Sequence, residues 1–230
     1  MTAVQSPMRL TLNTTLKVIF WVPTIFLSLL LVWNTIPYFI QANGKWFDTN
    51  LPFLAERAKL LEKSAWKICF YSHISAGAFC IITALVQFSS WILKKRKKIH
   101  IVSGKIYVFV VLLIGAPSGL YMTYFAKGGY AERAAFLAMA IFWFFTTYKG
   151  FVTAARDKNF VAHKYWMIRS YSMALTAVTF RIYHILFDEI GLSTFANYSI
   201  SLWISIIGNW LVAEFIIYLQ SKNYLKTYLS

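Results

Sequence analysis

Six long apolar segments, separated by short charged ones, dominate the pattern of the chain. A helix needs about 20 mostly apolar residues to cross the hydrocarbon core of a bilayer, and each segment reaches that length. The pattern predicts an all-α fold class, a polytopic transmembrane helical bundle of about six spans whose core is formed by spans two to five. The predicted spans are Leu16 to Ile40, Trp66 to Leu93, Ile101 to Tyr124, Ala131 to Thr153, Tyr165 to Phe187 and Phe195 to Leu219.

The first span and the segment that follows it complete the predicted organisation. The first span is too long for a signal peptide and lacks a small-residue cleavage pattern, so we interpret it as a retained span. Between spans one and two, residues 51–63 alternate apolar and charged side chains, which is typical of a short helix lying in the membrane interface. The chain, residues 1–230, is therefore predicted to be a single integral membrane domain.

The composition is also typical of a membrane protein, and it limits the kinds of partner that we expect. Charged residues make up 13% of the 230 residues, about half the share in an average soluble domain. The 23 Lys and Arg against 8 Asp and Glu lie mainly between the apolar segments. Such juxtamembrane charge predicts contact with anionic lipid at the cytoplasmic face and does not indicate a nucleic-acid surface.

The distribution of lysine and arginine predicts the orientation. The loop between spans two and three carries Lys94 to Lys98, the loop between spans four and five is also basic, and so is the tail after span six. These regions share the cytoplasmic side only if both termini are cytoplasmic. The expected location is the bacterial inner (plasma) membrane.

All four histidines fall in or at the predicted spans. His73 and His184 lie in the outer half, whereas His100 and His163 lie at the inner ends of spans three and five. Ionisable residues inside a membrane are costly, and imidazole is both a frequent metal ligand and the usual axial ligand of haem iron. The histidines are therefore candidate ligands of a haem b, with a non-haem metal site, a proton relay and purely structural roles as alternatives.

Two of these histidines share the pattern H-x-x-x-G, as His73 with Gly77 and His100 with Gly104. Four residues along a helix return to the same face, so each glycine lies beside its histidine. A glycine there removes the side chain that would obstruct a flat macrocycle. The same pattern also arises where spanning helices simply pack closely.

Three charged residues lie within predicted spans. Arg169 and Glu214 match in depth and have opposite charge, which predicts a structural ion pair. Arg181, close to His184, is expected either to reach outward or to meet an anion such as a haem propionate. Gly115 to Gly119, with Pro117 between them, predict a kink in span three. Motifs of hydrolytic enzymes are absent from the sequence, and no catalytic residue is predicted.

Several strings resemble the bacterial DUF2306 family of predicted multi-pass membrane proteins. They are "HIVSGKIYVFV", "GLYMTYFAKGGYAERAAFLAMAIFWFFTT", "HKYWMIRSYSMALTAVTFRIY" and "GNWLVAEFII", and the resemblance covers Ser72 to Ile217. Its pattern H-R-x-x-G-R-x-Y is matched by His100, Gly104 and Tyr107, with Ile101 and Lys105 in place of arginines.

The second family pattern, H-R-x-W-M-I-R-S, is matched by His163 and by Trp166 to Ser170. His73, Arg181, Asn209 and Glu214 also fall on positions that the family features, whereas His184 stands where an aliphatic residue is expected. The resemblance implies fold and location but assigns no activity. A looser similarity to haem bundles of the cytochrome b561 type rests on histidines near both membrane faces.

The leading expectation is a b-type haem electron carrier that accepts electrons from a quinol or small reductant. The alternatives are a transporter or proton-path protein and a structural or assembly subunit of a membrane complex. A helix rises about 31 Å from His163 to His184, so one haem cannot use both. His100 and His163 open their spans on the same side, and we expect this inner pair to matter most.

Overall fold

The computed structural model describes residues 21–40 and 51–229, and all regular secondary structure in these ranges is helical. The helices are α1 (Trp21–Tyr38, ending in a 3-10 turn), α2 (Pro52–Ala55), α3 (Ala58–Leu61), α4 (Ser64–Gln87), α5 (Ser90–Lys95), α6 (Lys97–Val110), α7 (Ala116–Thr123), α8 (Tyr130–Ala155), α9 (Phe160–Glu189) and α10 (Thr194–Leu229). They form a helical bundle, which confirms the predicted fold class.

Five helices in the described part are long and apolar enough to cross a membrane: α1, α4, the joined α6 and α7, α8, and α10 as far as Lys222. The remaining predicted span corresponds to α9, whose 30 residues extend about 45 Å. This helix is more polar than the other five, and it packs along both α8 and α10. Its buried Ser170 and Thr176 face other helices, so its polarity is turned inward.

Spans two to five build the core, as predicted. One buried cluster joins Cys80 of α4, Tyr107 of α6, Trp143 of α8 and Met173 of α9. Large apolar side chains remain exposed on the outside of the bundle, among them Ile68, Leu113 and Phe144. Exposed apolar side chains of this size are typical of a surface that contacts lipid, because a monomeric soluble protein rarely exposes so much contiguous apolar area.

Two predicted segments have different boundaries in the structure. The predicted span 66–93 is two helices, because α4 ends at Gln87 and α5 begins after Ser89, whose hydroxyl accepts a bond from the Ile92 N–H at its first turn. The predicted interfacial helix at 51–63 is likewise two short helices, α2 and α3, that meet at Glu56 and Arg57. Residues 16–20 of the first predicted span lie outside the described residues.

The predicted irregularity in span three takes the form of a π turn. Residues Val111–Gly115 widen the helix between α6 and α7, and the Ala116 N–H bonds to the Val111 carbonyl, five residues back. Pro117 follows at the start of α7 and has no N–H to continue the usual ladder. A wide turn of this kind accommodates the proline within a continuous span. Such turns are frequent at functional sites.

Candidate functional site

A cavity of about 500 Å³ lies inside the bundle, among α1, α4, α7, α8 and α9. Most of its wall is apolar and much of it is small, with Gly77, Ala78, Ala140, Ala174 and Ala177 among the lining residues. At one end it is lined by the charged Arg57 and Lys127, and we call this the Arg57 end of the bundle. The opposite end, where α6 starts near His100, is the His100 end.

His73 lines the cavity in a fixed tautomer. Its Nδ1 lies 2.9 Å from the carbonyl oxygen of Gly115, in the π turn. A carbonyl oxygen only accepts hydrogen bonds, so Nδ1 carries the proton of the neutral ring and Nε2 keeps its lone pair. The nitrogen available to a ligand is therefore Nε2, which accepts a hydrogen bond or coordinates a metal.

Two glycines shape the space around this ring. A Cβ on Gly119 would come 2.8 Å from His73 Cε1, so the imidazole ring packs directly against Gly119. A Cβ on Gly77 would meet no atom within 4 Å, so this glycine borders open cavity. His73 and Gly77 thus share one cavity, in the arrangement that their H-x-x-x-G spacing suggests.

Arg181 brings a positive charge to the same cavity. Its Nη1 donates to the Ala177 carbonyl at 2.7 Å, and no salt bridge joins it to an acid within the described ranges. Arg57 and Lys127 also line the cavity, whereas none of its described lining residues is Asp or Glu. The wall therefore favours a ligand that carries negative charge.

His184 has a different environment. Its Nδ1 lies 2.9 Å from Asn197 Oδ1, and Asn197 Nδ2 donates to the His184 carbonyl at 3.0 Å. The ring stacks on Phe180 and meets the edge of Tyr198. These contacts join α9 to α10. Among the described residues that line the cavity, His73 is the single histidine, so the structure does not bring His184 to it.

His100 and His163 come together at the His100 end. Both lie in the first turns of their helices, α6 and α9, and they are close enough for an electrostatic interaction. His163 Nδ1 lies 2.7 Å from the Gly150 carbonyl, which leaves its Nε2 with a lone pair, as in His73. The Nδ1 of His100 is buried and has no hydrogen-bond partner among the described residues.

Gly104 serves helix packing. A Cβ there would lie 3.1 Å from Gln87 Oε1, so the glycine lets the Gln87 side chain cross from α4 to α6. Gln87 Nε2 donates to the His100 carbonyl at 2.9 Å. In the second H-x-x-x-G pattern the glycine therefore packs against a side chain of another helix, whereas in the first pattern the glycine borders the cavity.

A buried polar network lies between the cavity and the His100 end. Tyr107 Oη is 2.9 Å from Ser170 Oγ, which is 2.7 Å from Thr147 Oγ1. Trp143, which lines the cavity, directs its Nε1 to Tyr107 Oη at 3.4 Å. All four side chains are buried, so this network ties α6, α8 and α9 together.

The comparison with protein families agrees with the sequence. The family described as "Predicted membrane protein (DUF2306)" matches residues 70–217, well over half of the chain. The chain belongs to the DUF2306 family. A search of the curated proteins and a search of the solved structures found no match.

For this DUF2306 protein, the matched region contains His73, Arg181 and both histidines of the His100 end. It excludes α1, α2 and Arg57, which supply part of the cavity wall. The protein is therefore an integral membrane protein with several membrane-spanning helices. Within the described residues, no group of three or more His, Cys, Asp or Glu side chains is placed to hold a metal ion.

Several residues of the site were not predicted from the sequence. Gly115 and Gly119 were interpreted only as the source of a kink, and Gly150 and Asn197 were not singled out. Their roles depend on helix pairing, because each meets a histidine on another helix or across a turn. The glycine pair beside Pro117 was the one local signal that could have drawn attention to this place.

Proposed function

We propose that the protein is a haem-carrying membrane electron carrier whose cofactor lies in the cavity beside His73. The proposal rests on one observation: the cavity is lined both by an imidazole with a free Nε2 lone pair and by Arg181, which has no acidic partner within residues 21–40 and 51–229. The free lone pair of the histidine can coordinate a metal or accept a hydrogen bond, and the arginine can pair with an anion. An iron porphyrin with propionate groups satisfies both.

The shape of the cavity supports this choice. A volume of about 500 Å³ is in the range of pockets that hold cofactors, and the apolar wall suits a macrocycle. Gly77 leaves the face beside His73 open. The described lining residues include one imidazole and no second histidine, so His73 would be the histidine that holds the haem.

Each residue then has a defined task. The Gly115 carbonyl and Gly119 orient His73, whose Nε2 would hold the iron, and Arg181 would neutralise a propionate. A haem bound there supplies a reversible one-electron couple inside the membrane. A quinol or another small reductant is the class of electron donor that reaches such a place.

The inner histidines are a second candidate location for the same cofactor. His100 and His163 lie together, and His163 is held through Nδ1 by a glycine carbonyl just as His73 is. The sequence analysis expects these two residues to matter most, whereas the cavity is lined by His73, so the inner pair stands here as the alternative location. The two locations make different predictions for single substitutions.

The test is optical. Protein purified with added haem should show a Soret band that moves on reduction with dithionite. His73→Ala should abolish that band, Arg181→Gln should weaken haem retention, and His184→Ala, which removes an imidazole outside the cavity, is the matched control. Loss of the band in His100→Ala and His163→Ala, with His73→Ala unchanged, moves the site to the His100 end. Colourless wild-type protein removes the haem proposal and favours the transporter or structural alternative.

The proposal extends to location. The basic α5, with Lys94 and Lys95 in its last turn, lies at the His100 end. Basic segments face the cytoplasm and attract anionic lipid, so we place this end at the cytoplasmic face of a bacterial inner membrane. The Arg57 end then faces outward.

A further inference from the structure

The short helices α2 and α3 lie across the Arg57 end of the cavity. Phe53 and Arg57 line it from this segment, and Phe125 to Lys127, in the loop between α7 and α8, line it from the facing side. A ligand that enters from this end must pass between the two segments. The polar contacts between the two segments therefore lie at the Arg57 end of the cavity.

Two polar contacts close this gap. Lys127 Nζ lies 2.9 Å from Glu56 Oε2, and Arg57 Nη1 donates to the Phe125 carbonyl at 2.8 Å. The ion pair is exposed, with 51% of the Lys127 and 55% of the Glu56 side chain accessible. An exposed pair of this kind contributes little energy, so it is readily broken and remade.

The segment is held more firmly elsewhere. Leu54 is fully buried and Leu61 nearly so, in an apolar cluster with Trp66 and Phe70 of α4. Glu56 and Arg57 occupy the break between α2 and α3, outside both helices. The segment thus combines buried attachment points with a polar turn that touches the facing loop only through weak contacts.

We propose that α2 and α3 form a lid over the cavity, latched to the α7–α8 loop by the Glu56–Lys127 ion pair. The lid opens by separation of this pair and of the Arg57–Phe125 bond, while Leu54 and Leu61 keep the segment attached. Solutes, including the ligand, enter at the Arg57 end. The identity of that ligand rests on the proposed function, but the gating of the cavity does not.

The experiment measures access without a ligand. In a Cys69→Ser, Cys80→Ala background, Gly77→Cys places a thiol against open cavity. The purified protein in lipid nanodiscs is treated with the anionic reagent methanethiosulfonate ethylsulfonate, and the labelling rate is followed by mass spectrometry. Lys127→Glu breaks the latch, and Lys59→Glu, on exposed α3 surface, changes the net charge equally without touching it.

Lys127→Glu should speed labelling about two- to fivefold, the range expected for loss of an exposed ion pair. The added negative charge alone would slow an anionic reagent, so the two effects have opposite signs. The double variant Glu56→Lys, Lys127→Glu should restore the slow rate, and Lys59→Glu should stay near the parent. Equal rates in Lys127→Glu and Lys59→Glu, or no restoration in the double variant, would overturn the latch. The labelling is done on protein prepared without added haem and free of a Soret band, so failure of the latch and failure of the haem proposal remain distinguishable.

Discussion

Arg169 of α9 and Glu214 of α10 form a two-point ion pair. Arg169 Nε lies 2.6 Å from Glu214 Oε1, and Arg169 Nη2 lies 2.8 Å from Oε2. The guanidinium also lies over the Trp166 ring, 4.7 Å from its centre. Parallel bonds of this type fix geometry as well as charge, so the pair holds two helices in register.

Replacing either partner by glutamine should destabilise the protein. We expect a loss of about 2 kcal/mol, below the roughly 3–5 kcal/mol of a fully buried pair, because 37% of the Glu214 side chain is exposed. Thermal unfolding in detergent measures the loss. Exchanging the two charges in one protein should recover part of it, and Arg156→Gln, at an exposed arginine, is the control. Absence of any recovery would show that the pair does not act as a unit.

A bulky residue at Gly77 should fill the cavity without straining the bundle. The space beside Gly77 is open, so Gly77→Phe should block cofactor retention while the unfolding temperature stays close to that of the wild type. Gly208→Phe is a matched control, because a Cβ at Gly208 also meets nothing within 4 Å and Gly208 does not line the cavity. Haem content per protein and unfolding temperature are measured together. Full haem content in Gly77→Phe would place the cofactor elsewhere.

The Glu56–Lys127 pair should respond to pH. The hydrogen bond from Lys127, with its charge, holds the pKa of the Glu56 carboxyl below its ordinary value. A lowered pKa means that the pair is intact above the ordinary pKa and is lost as pH falls through the lowered one. Carbon NMR of labelled glutamate should follow this titration. Lys127→Met should return the Glu56 pKa toward its ordinary value, and an unchanged titration would show that the contact does not persist in solution.

The basic end of the bundle should face the cytoplasm. A reporter that works only in the cytoplasm, fused after Ser230, should be active, and one that works only in the periplasm should be silent there. The reason is the accumulation of lysine and arginine in the loops and the tail on one side. Reporters placed after Lys127 should give the opposite pattern. Periplasmic activity at Ser230 would invert the orientation and exchange the two ends of the site.

Much of the architecture could be predicted because membrane spans depend on local composition. Twenty apolar residues form a helix in a bilayer whatever their partners, so α8 and the spanning part of α10 lie close to the ranges that the sequence predicts. Depth follows from position along a span, which is how Arg169 and Glu214 could be matched. The break at Ser89 was missed because α5 continues the apolar pattern for several residues.

The site could be predicted only in part, because it depends on how the spans pack. The placement of Gly77 beside His73 is local and follows from their spacing. The sequence also singled out Arg181, as a residue that reaches outward or meets an anion, and its place on the wall of the same cavity depends on packing. The partner of His73 is a carbonyl on another helix, 42 residues away. The bond between His184 and Asn197 likewise depends on the pairing of α9 with α10, and no spacing rule indicates it.

The polarity of α9 affects how this helix inserts into the membrane. Its buried Ser170 bonds to Tyr107 of α6 and Thr147 of α8, and its Arg169 pairs with Glu214 of α10, so both residues would lack these partners if α9 stood alone in lipid. A helix of this kind partitions poorly on its own, since polar groups in hydrocarbon are costly. We expect α9 to enter the bilayer together with α8 and α10 as one unit. Truncation of the chain before α10 should therefore leave α9 outside the membrane or degraded, even though α8 still inserts.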